Sequence, residues 1–298
     1  MQYRADALGL VGQVTTIFRE LVHERLGLFY APAQFDQVAD RLAPLVVERG
    51  LGSFMDYYYL LKYSDDEAEW GRVMDALSVP ETYFWRENDQ LRAMVDCVVP
   101  ALTEELHGRP LHIWSVPCAS GEEPLTLAMM LEEARWFDRA PIQIVGSDAS
   151  RAAVARAERG RYGPRAFRNL SPALRDKYFT PDGDHWLVDP ALRARVAYDV
   201  VNLVAPDDVA RHAAAPIVFC RNVFIYFSEQ SIRRTLDAMI QHMPDPAYLC
   251  IGASESLLRL RTAFSLEEIG GAFVYVKGKH AVKRPPAPVP AQQTRGSE

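Results

Sequence analysis

Ile113-Trp114-Ser115-Val116-Pro117-Cys118-Ala119-Ser120-Gly121-Glu122-Glu123-Pro124 reads as a buried strand, a loop of small residues and the start of a helix. Leu111 to Val116 is apolar and β-favouring, Ala119-Ser120-Gly121 lets a ligand approach the backbone, and Pro124 carries the fixed φ suited to a first helical turn. The free N–H groups of that turn would face a bound ligand. A phosphate site exploits this positive end directly, yet here it carries two carboxylates, and no Lys follows the glycine as a P-loop requires. The expected ligand is a nucleoside without phosphates, with an amine compatible with the acidic turn.

Outward from this stretch the pattern alternates: strand 111–116, helix 123–137, strand 142–147, helix 149–159, and later strand 216–220, helix 229–242 and strand 247–252. A βαβα rhythm implies an α/β fold with a mostly parallel, doubly covered sheet. Asp148 follows the second strand, where Rossmann-like folds hold a ribose; its other role is N-cap of helix 149–159, and the two can coexist. Between about 163 and 200 the rhythm breaks into a short helix from Ser171-Pro172, the turn Pro181-Asp182-Gly183-Asp184 and two β-type runs, 185–188 and 196–201. This predicts a small inserted antiparallel β-subdomain. Asn202 comes next, and the strand Ile217-Val218-Phe219-Cys220 then delivers Arg221, Asn222 and Tyr226 to the carboxyl end of the sheet, where ligands sit. The strands 247–252 and 273–277 close the sheet.

Toward the N-terminus, residues 10–26, 34–49, 54–61 and 67–77 carry helical spacing, with Gly50 and Gly52 ending the second helix and Ser53 capping the third. They form a small all-α domain, either a cover for the sheet domain or a surface for a protein substrate. Glu81-Thr82-Tyr83-Phe84-Trp85-Arg86-Glu87 follows. An Arg among aromatics needs an anionic or π partner to compensate its desolvation, which makes Arg86 a candidate site residue.

The formal charge of -6 and the lack of a Lys/Arg cluster longer than a pair argue against nucleic acid. The four cysteines have neither CxxC spacing nor a neighbouring His, so no metal site is expected and a reducing cytoplasm fits. No signal-peptide pattern and no apolar run near the roughly 20 residues of a membrane span are present, so a cytosolic protein without membrane insertion is expected. The expected domains are 1–82 (helical), 83–283 (catalytic, with the insertion) and 284–298, a Pro/Ala-rich tail of linker composition.

Taken together, residues 81–87, 114–124, Ser147-Asp148-Ala149-Ser150, Tyr162 with Leu170-Ser171-Pro172 and Tyr178-Phe179, Val201-Asn202-Leu203, 219–227 and Gly252-Ala253-Ser254-Glu255-Ser256 resemble the CheR-type chemotaxis receptor methyltransferases over nearly the whole chain. Pro80, Val116-Pro117-Cys118 and Ala253 depart from the family pattern. The resemblance implies a Rossmann-like S-adenosylmethionine-dependent methyltransferase domain with an N-terminal all-α domain and the small β-subdomain. It also implies transfer of a methyl group from S-adenosyl-L-methionine to a receptor glutamate, giving a γ-methyl ester and S-adenosyl-L-homocysteine.

By motif, the resemblance puts Thr82 and Arg86 at the cofactor's methionine end and Glu123 near its amino group. Asp148 goes to the ribose and Asn202-Leu203 to the adenine, while Arg221, Asn222 and Tyr226 complete the pocket. Arg86 and Tyr226 are the expected catalytic pair. The implied partner is the cytoplasmic helical region of a methyl-accepting chemoreceptor, and a monomer is expected. The competing expectations are a methyltransferase of the same fold with another protein or small-molecule substrate, kept open by seven Lys/Arg against twelve Asp/Glu in residues 1–80, and a non-catalytic S-adenosylmethionine-binding module.

Overall fold

The computed structural model describes residues 4–79 and 81–279. The large sheet contains β1 (Leu111–Ser115) and β2 (Ile142–Asp148). A three-stranded unit follows in the chain, made of β3 (Arg161–Tyr162), β4 (Phe179–Asp182) and β5 (His185–Val188) in the order β3-β5-β4. The chain then returns to the large sheet with β6 (Val196–Val200), β7 (Ile217–Phe219), β8 (Ala247–Cys250), β9 (Phe264–Ile269) and β10 (Ala272–Lys277). The order of the seven strands is β6-β2-β1-β7-β8-β10-β9. The first five run parallel, and β10 is antiparallel to both its neighbours. From β1 the chain moves outward to β2 and β6 on one side and to β7 and β8 on the other, so the crevice of this α/β sheet opens at the carboxyl ends of β1 and β7.

Period-2 alternation divides the core between the two faces. Leu111 and Ile113 join the cluster with Leu125, Met129 and Phe219, whereas Trp114 and Val116 join the one with Val218, Leu236 and Leu249. Helix Glu122–Glu133 covers the first face and helix Glu229–His242 the second. The N-terminal helices keep a separate core around Phe18, Phe35, Phe54, Tyr57 and Trp70. The fold is thus α/β with an N-terminal all-α part and a small antiparallel sheet, as the sequence predicts. Among the described residues no helix is long and apolar enough to cross a membrane.

Several elements differ from the sequence reading. The helix expected over 34–49 is two helices, Pro32–Ala39 and Ala43–Glu48. Pro44 has no N–H for the carbonyl four residues back, so one helix cannot run through it. The run 196–201 is not part of the inserted unit: β6 is the edge strand of the large sheet, parallel to β2. Its half-polar composition suits an edge. Asp148 does not cap the helix that follows; Ser150 does, accepting from Ala153 N–H at 3.0 Å, and the helix is Arg151–Arg159. The sequence reading also missed the helical stretch from Asp89 to Leu106, which contains a π-helical turn over Met94–Val98 just ahead of Pro100. Strand β9 was missed as well, because Phe264-Ser265-Leu266-Glu267-Glu268-Ile269 is too polar to signal more than an exposed edge. The expected tail, 284–298, and Pro80 lie outside the described residues.

The helical part is fastened to the sheet part by specific polar contacts. His23 Nε2 lies 2.8 Å from Ser228 Oγ, the cap of helix Glu229–His242. Phe29 N–H donates to the Tyr226 carbonyl (2.7 Å), and Asn202 Nδ2 donates to the Arg25 carbonyl (2.8 Å). Ser150 Oγ donates to Asp75 Oδ1 (2.5 Å). Gly27 turns at the end of helix Gln13–Leu26 with φ +77°, and a Cβ there would meet Val204 at 2.6 Å, so only glycine lets this helix end approach the sheet.

Candidate active site

Four loops leave the carboxyl ends of parallel strands and meet at one cleft: 116–121 after β1, Asp148-Ala149 after β2, 201–203 after β6 and 221–227 after β7. Segment 81–86 forms another wall. Leu26, Leu28, Tyr30, Met74 and Leu77 of the helical part form an apolar roof. Thr82 and Arg86, Glu123, Asp148, Asn202 and Leu203, and Arg221, Asn222 and Tyr226 all line this cleft, so every candidate side chain converges on one place. The roof residues went unseen in the sequence because their apolar spacing is that of any helix packed on a core.

Arg221 sits at the centre, its side chain only 2% exposed. Its Nη1 donates to Glu123 Oε2 at 3.0 Å, and its Nη2 reaches Glu87 Oε2 (3.1 Å) and the carbonyls of Arg86 (3.0 Å) and Glu87 (3.1 Å). Ser115 Oγ donates to the other oxygen of Glu123 at 2.7 Å. Burial raises the Glu123 pKa, with Arg221 and Ser115 offsetting part of the shift. Burial would raise Glu87 too, but the Ala253 N–H and Arg221 outweigh it and hold Glu87 below its usual range. Each Glu123 oxygen accepts one bond from the protein and keeps a lone pair, so the carboxylate can still accept from an ammonium.

Asp148 is 6% exposed and accepts from Ala119 N–H (3.0 Å) and Ser150 N–H (2.8 Å), one on each oxygen. Burial raises its pKa and the two N–H groups oppose the rise. Asp148 lines the cleft, and each oxygen keeps a lone pair that a vicinal diol could use. The Asn202 amide is already engaged: Nδ2 holds the Arg25 carbonyl and Oδ1 accepts from Val204 N–H (3.2 Å). Beside it, Leu203 N–H has no hydrogen-bond partner among the described residues. The loop after β7 is held by one carboxylate that the sequence reading gave no role. Glu255 accepts from the N–H groups of Asn222 (2.8 Å), Phe224 (2.6 Å), Ile225 (3.3 Å) and Gly252 (2.6 Å).

Segment 81–87 is anchored by Phe84, which is fully buried with Tyr162, Phe167 and Phe179 at centroid distances of 4.9, 5.3 and 5.0 Å. With Phe84 fixed, Tyr83 and Arg86 fall on the cleft. Arg86 has both partners that its aromatic surroundings demand: the Tyr83 ring at 5.7 Å and Glu87 at 3.7 Å, with Nη1 on the Glu81 carbonyl at 2.9 Å. Of the six described non-glycine residues with positive φ, four (Trp85, Glu87, Ala119 and Asn222) belong to the loops that build this site. Strain of about 1–3 kcal/mol each persists only where the surroundings over-determine the backbone.

The two adjacent glutamates have different environments. Glu123 faces the cleft, whereas Glu122 turns beneath the loop, 4% exposed, with Ser120 Oγ at 2.8 and 3.1 Å. Burial pushes its pKa up to about 7, against the opposing pull of Ser120 and Arg156. Above it Gly121 (φ +93°) passes so close to Tyr198 Oη that a Cβ would lie 2.8 Å from it.

Comparison with known proteins gives one consistent result. Residues 80–272 match a family model described as CheR methyltransferase, SAM binding domain, and residues 16–78 match the CheR methyltransferase all-alpha domain. The chain is 30% identical over 264 residues to "Chemotaxis protein methyltransferase 2" of Vibrio cholerae, with 87% of this chain and 91% of that protein covered. It is 30% identical to "Chemotaxis protein methyltransferase 1" of Pseudomonas aeruginosa, covering 87% and 96%. It is also 30% identical to "Probable biofilm formation methyltransferase WspC" of Pseudomonas putida, covering 93% of this chain but only 65% of that longer protein.

The Glu122 environment sets a pH dependence. With the folded pKa near about 7 and the ordinary value 4.5, the folded chain binds the extra proton between these values, so stability falls as pH rises through that window. The loss is on the order of 3 kcal/mol. Glu122→Gln should flatten this slope in urea unfolding between pH 5 and 8, and an unaltered slope would show that Glu122 is not its source.

Proposed function

The chain belongs to the CheR methyltransferase family and binds S-adenosylmethionine, and from that premise we propose that it methylates glutamate side chains of a chemoreceptor-like signalling protein to γ-methyl esters. The observation that carries this reading is the convergence of Arg86, Tyr226 and the Arg221–Glu123 pair on one apolar-roofed cleft. When bound, S-adenosylmethionine supplies an electrophilic methyl group on a sulfonium. The cleft fits it: Glu123 keeps acceptor capacity for the amino group and Asp148 for the ribose hydroxyls. Leu203 offers an unpartnered N–H for the base, and Asn202 shapes that end by holding the helical roof. Arg221 acts through Glu123 and Glu87, and Thr82 and Asn222 complete the walls.

A substrate glutamate, with a reference pKa near about 4.3, is already ionised, so the site needs no general base. The task is orientation. Arg86, 26% exposed at the cleft, is suited to hold the incoming carboxylate, and the Tyr226 hydroxyl to donate to it. A second reading, a receptor of a biofilm-forming rather than a motility system, is favoured by the similarity to the WspC protein.

Incubation with tritiated S-adenosylmethionine and receptor-containing membranes should give alkali-labile methyl groups on protein; alkali-stable label would overturn the ester. Arg86→Ala should lower turnover about 100-fold while changing unfolding free energy by less than about 1 kcal/mol, and equal turnover would remove Arg86 from the reaction. Asp148→Ala should weaken S-adenosylhomocysteine binding about 10- to 100-fold by calorimetry, the value of hydrogen bonds to a charged acceptor.

A further inference from the structure

The helical part, expected from the sequence as either a cover or a surface for a protein substrate, is acidic: residues 1–80 hold seven Lys/Arg against twelve Asp/Glu. The opposite balance holds in residues 151–195, with ten Lys/Arg against five Asp/Glu. Two of these cations lie on the turn after β3, and one of them, Arg168, reaches a residue of the cleft. Arg165 is exposed and makes no ion pair among the described residues. Arg168 lays its guanidinium over the Tyr83 ring, 3.5 Å from the centroid. Tyr83 lines the cleft and also carries Arg86 at 5.7 Å, so the separation of the two guanidinium carbons cannot exceed the sum of these distances, 9.2 Å.

We propose that Arg168 is a specificity-determining residue that binds a second carboxylate of the substrate protein, on the same helix face as the glutamate held by Arg86. The inference rests on the glutamate methylation proposed above. Lying over the Tyr83 ring, the Arg168 guanidinium is held in place, and once Glu81 exchanges its N–H edge can take bidentate contact with a carboxylate. In the free protein its anionic partner is Glu81, at 3.4 Å, with side chains 43% and 72% exposed. Such an exposed pair contributes little and exchanges readily for an incoming anion. Residues three or four apart on a helix present neighbouring side chains about 5–6 Å apart at Cβ. Two long acidic side chains at that spacing reach two guanidinium groups held against one tyrosine. A glutamate without an acidic neighbour engages only Arg86.

The test measures initial rates of methyl transfer to membrane vesicles carrying the cell's own receptors, at several ionic strengths. Arg168→Glu should raise KM for receptor at least tenfold with little change in kcat, and Arg168→Lys should recover most of the loss. The wild-type decline of kcat/KM with salt should be shallower in Arg168→Ala. Glu81→Gln, which frees Arg168, should lower KM two- to threefold. Affinity for S-adenosylhomocysteine, read by calorimetry, should be the same in the Arg168 variants, which separates recognition from damage to the fold. Unchanged KM in Arg168→Glu, or a fall in kcat alone, overturns the proposal. If the wild-type protein transfers no alkali-labile methyl group, the proposed function fails, and this inference with it.

Discussion

The site depends on one buried cation. Arg221 leaves the end of β7, and its guanidinium joins Glu123, at the start of the helix after β1, to Glu87, at the end of the aromatic segment. These three groups come from stretches of chain 36 and more residues apart. A guanidinium at 2% exposure is tolerable only with its charge paired and its donors used, so the three stretches are obliged to meet. Breaking such a pair from one side typically costs about 3–5 kcal/mol, because the other charge stays buried. Arg221 Nε still lacks a partner, a cost accepted beside otherwise complete bonding.

From this pairing the rest of the cleft follows. Glu87 cannot reach Arg221 unless segment 81–87 adopts its unusual backbone, and Phe84 holds that backbone by entering the aromatic cluster at the base of the small sheet. Glu255 does for the loop after β7 what Phe84 does for this segment, gathering four N–H groups onto one carboxylate. Charged and aromatic anchors therefore divide the work: the charges fix where the loops end, and the rings fix how they approach.

Much of this was legible in the sequence, for physical reasons that differ by element. The parallel strands announced themselves because strands buried on both faces must be continuously apolar, as in Ile217-Val218-Phe219-Cys220. The cleft residues were legible because ligands of such sheets sit at strand ends, which singled out Asp148, Arg221, Asn222 and Tyr226 before any contact was visible, whereas Asn202 came from the family resemblance. Edge strands, which pair on one side only and need no such composition, were less legible: β9 was missed, and β6 was read as a strand but placed in the wrong sheet. The Asn202 amide's attachment to the Arg25 carbonyl, 177 positions away, was not legible, because no local pattern encodes a partner so distant. Glu255 was quoted as part of a motif, but its four backbone partners depend on a loop geometry that only the folded chain supplies.

The unit formed by β3, β4 and β5 leaves the large sheet after β2 and rejoins it at β6, adding no strand to it. It can therefore vary in sequence and charge without disturbing strand register. The groups that face the cofactor lie on other loops. In evolutionary terms, the exposed positions of this unit are free to drift, whereas its buried rings Tyr162, Phe167 and Phe179, which hold Phe84 and so the wall of the cleft, stay under the same constraint as the cleft itself.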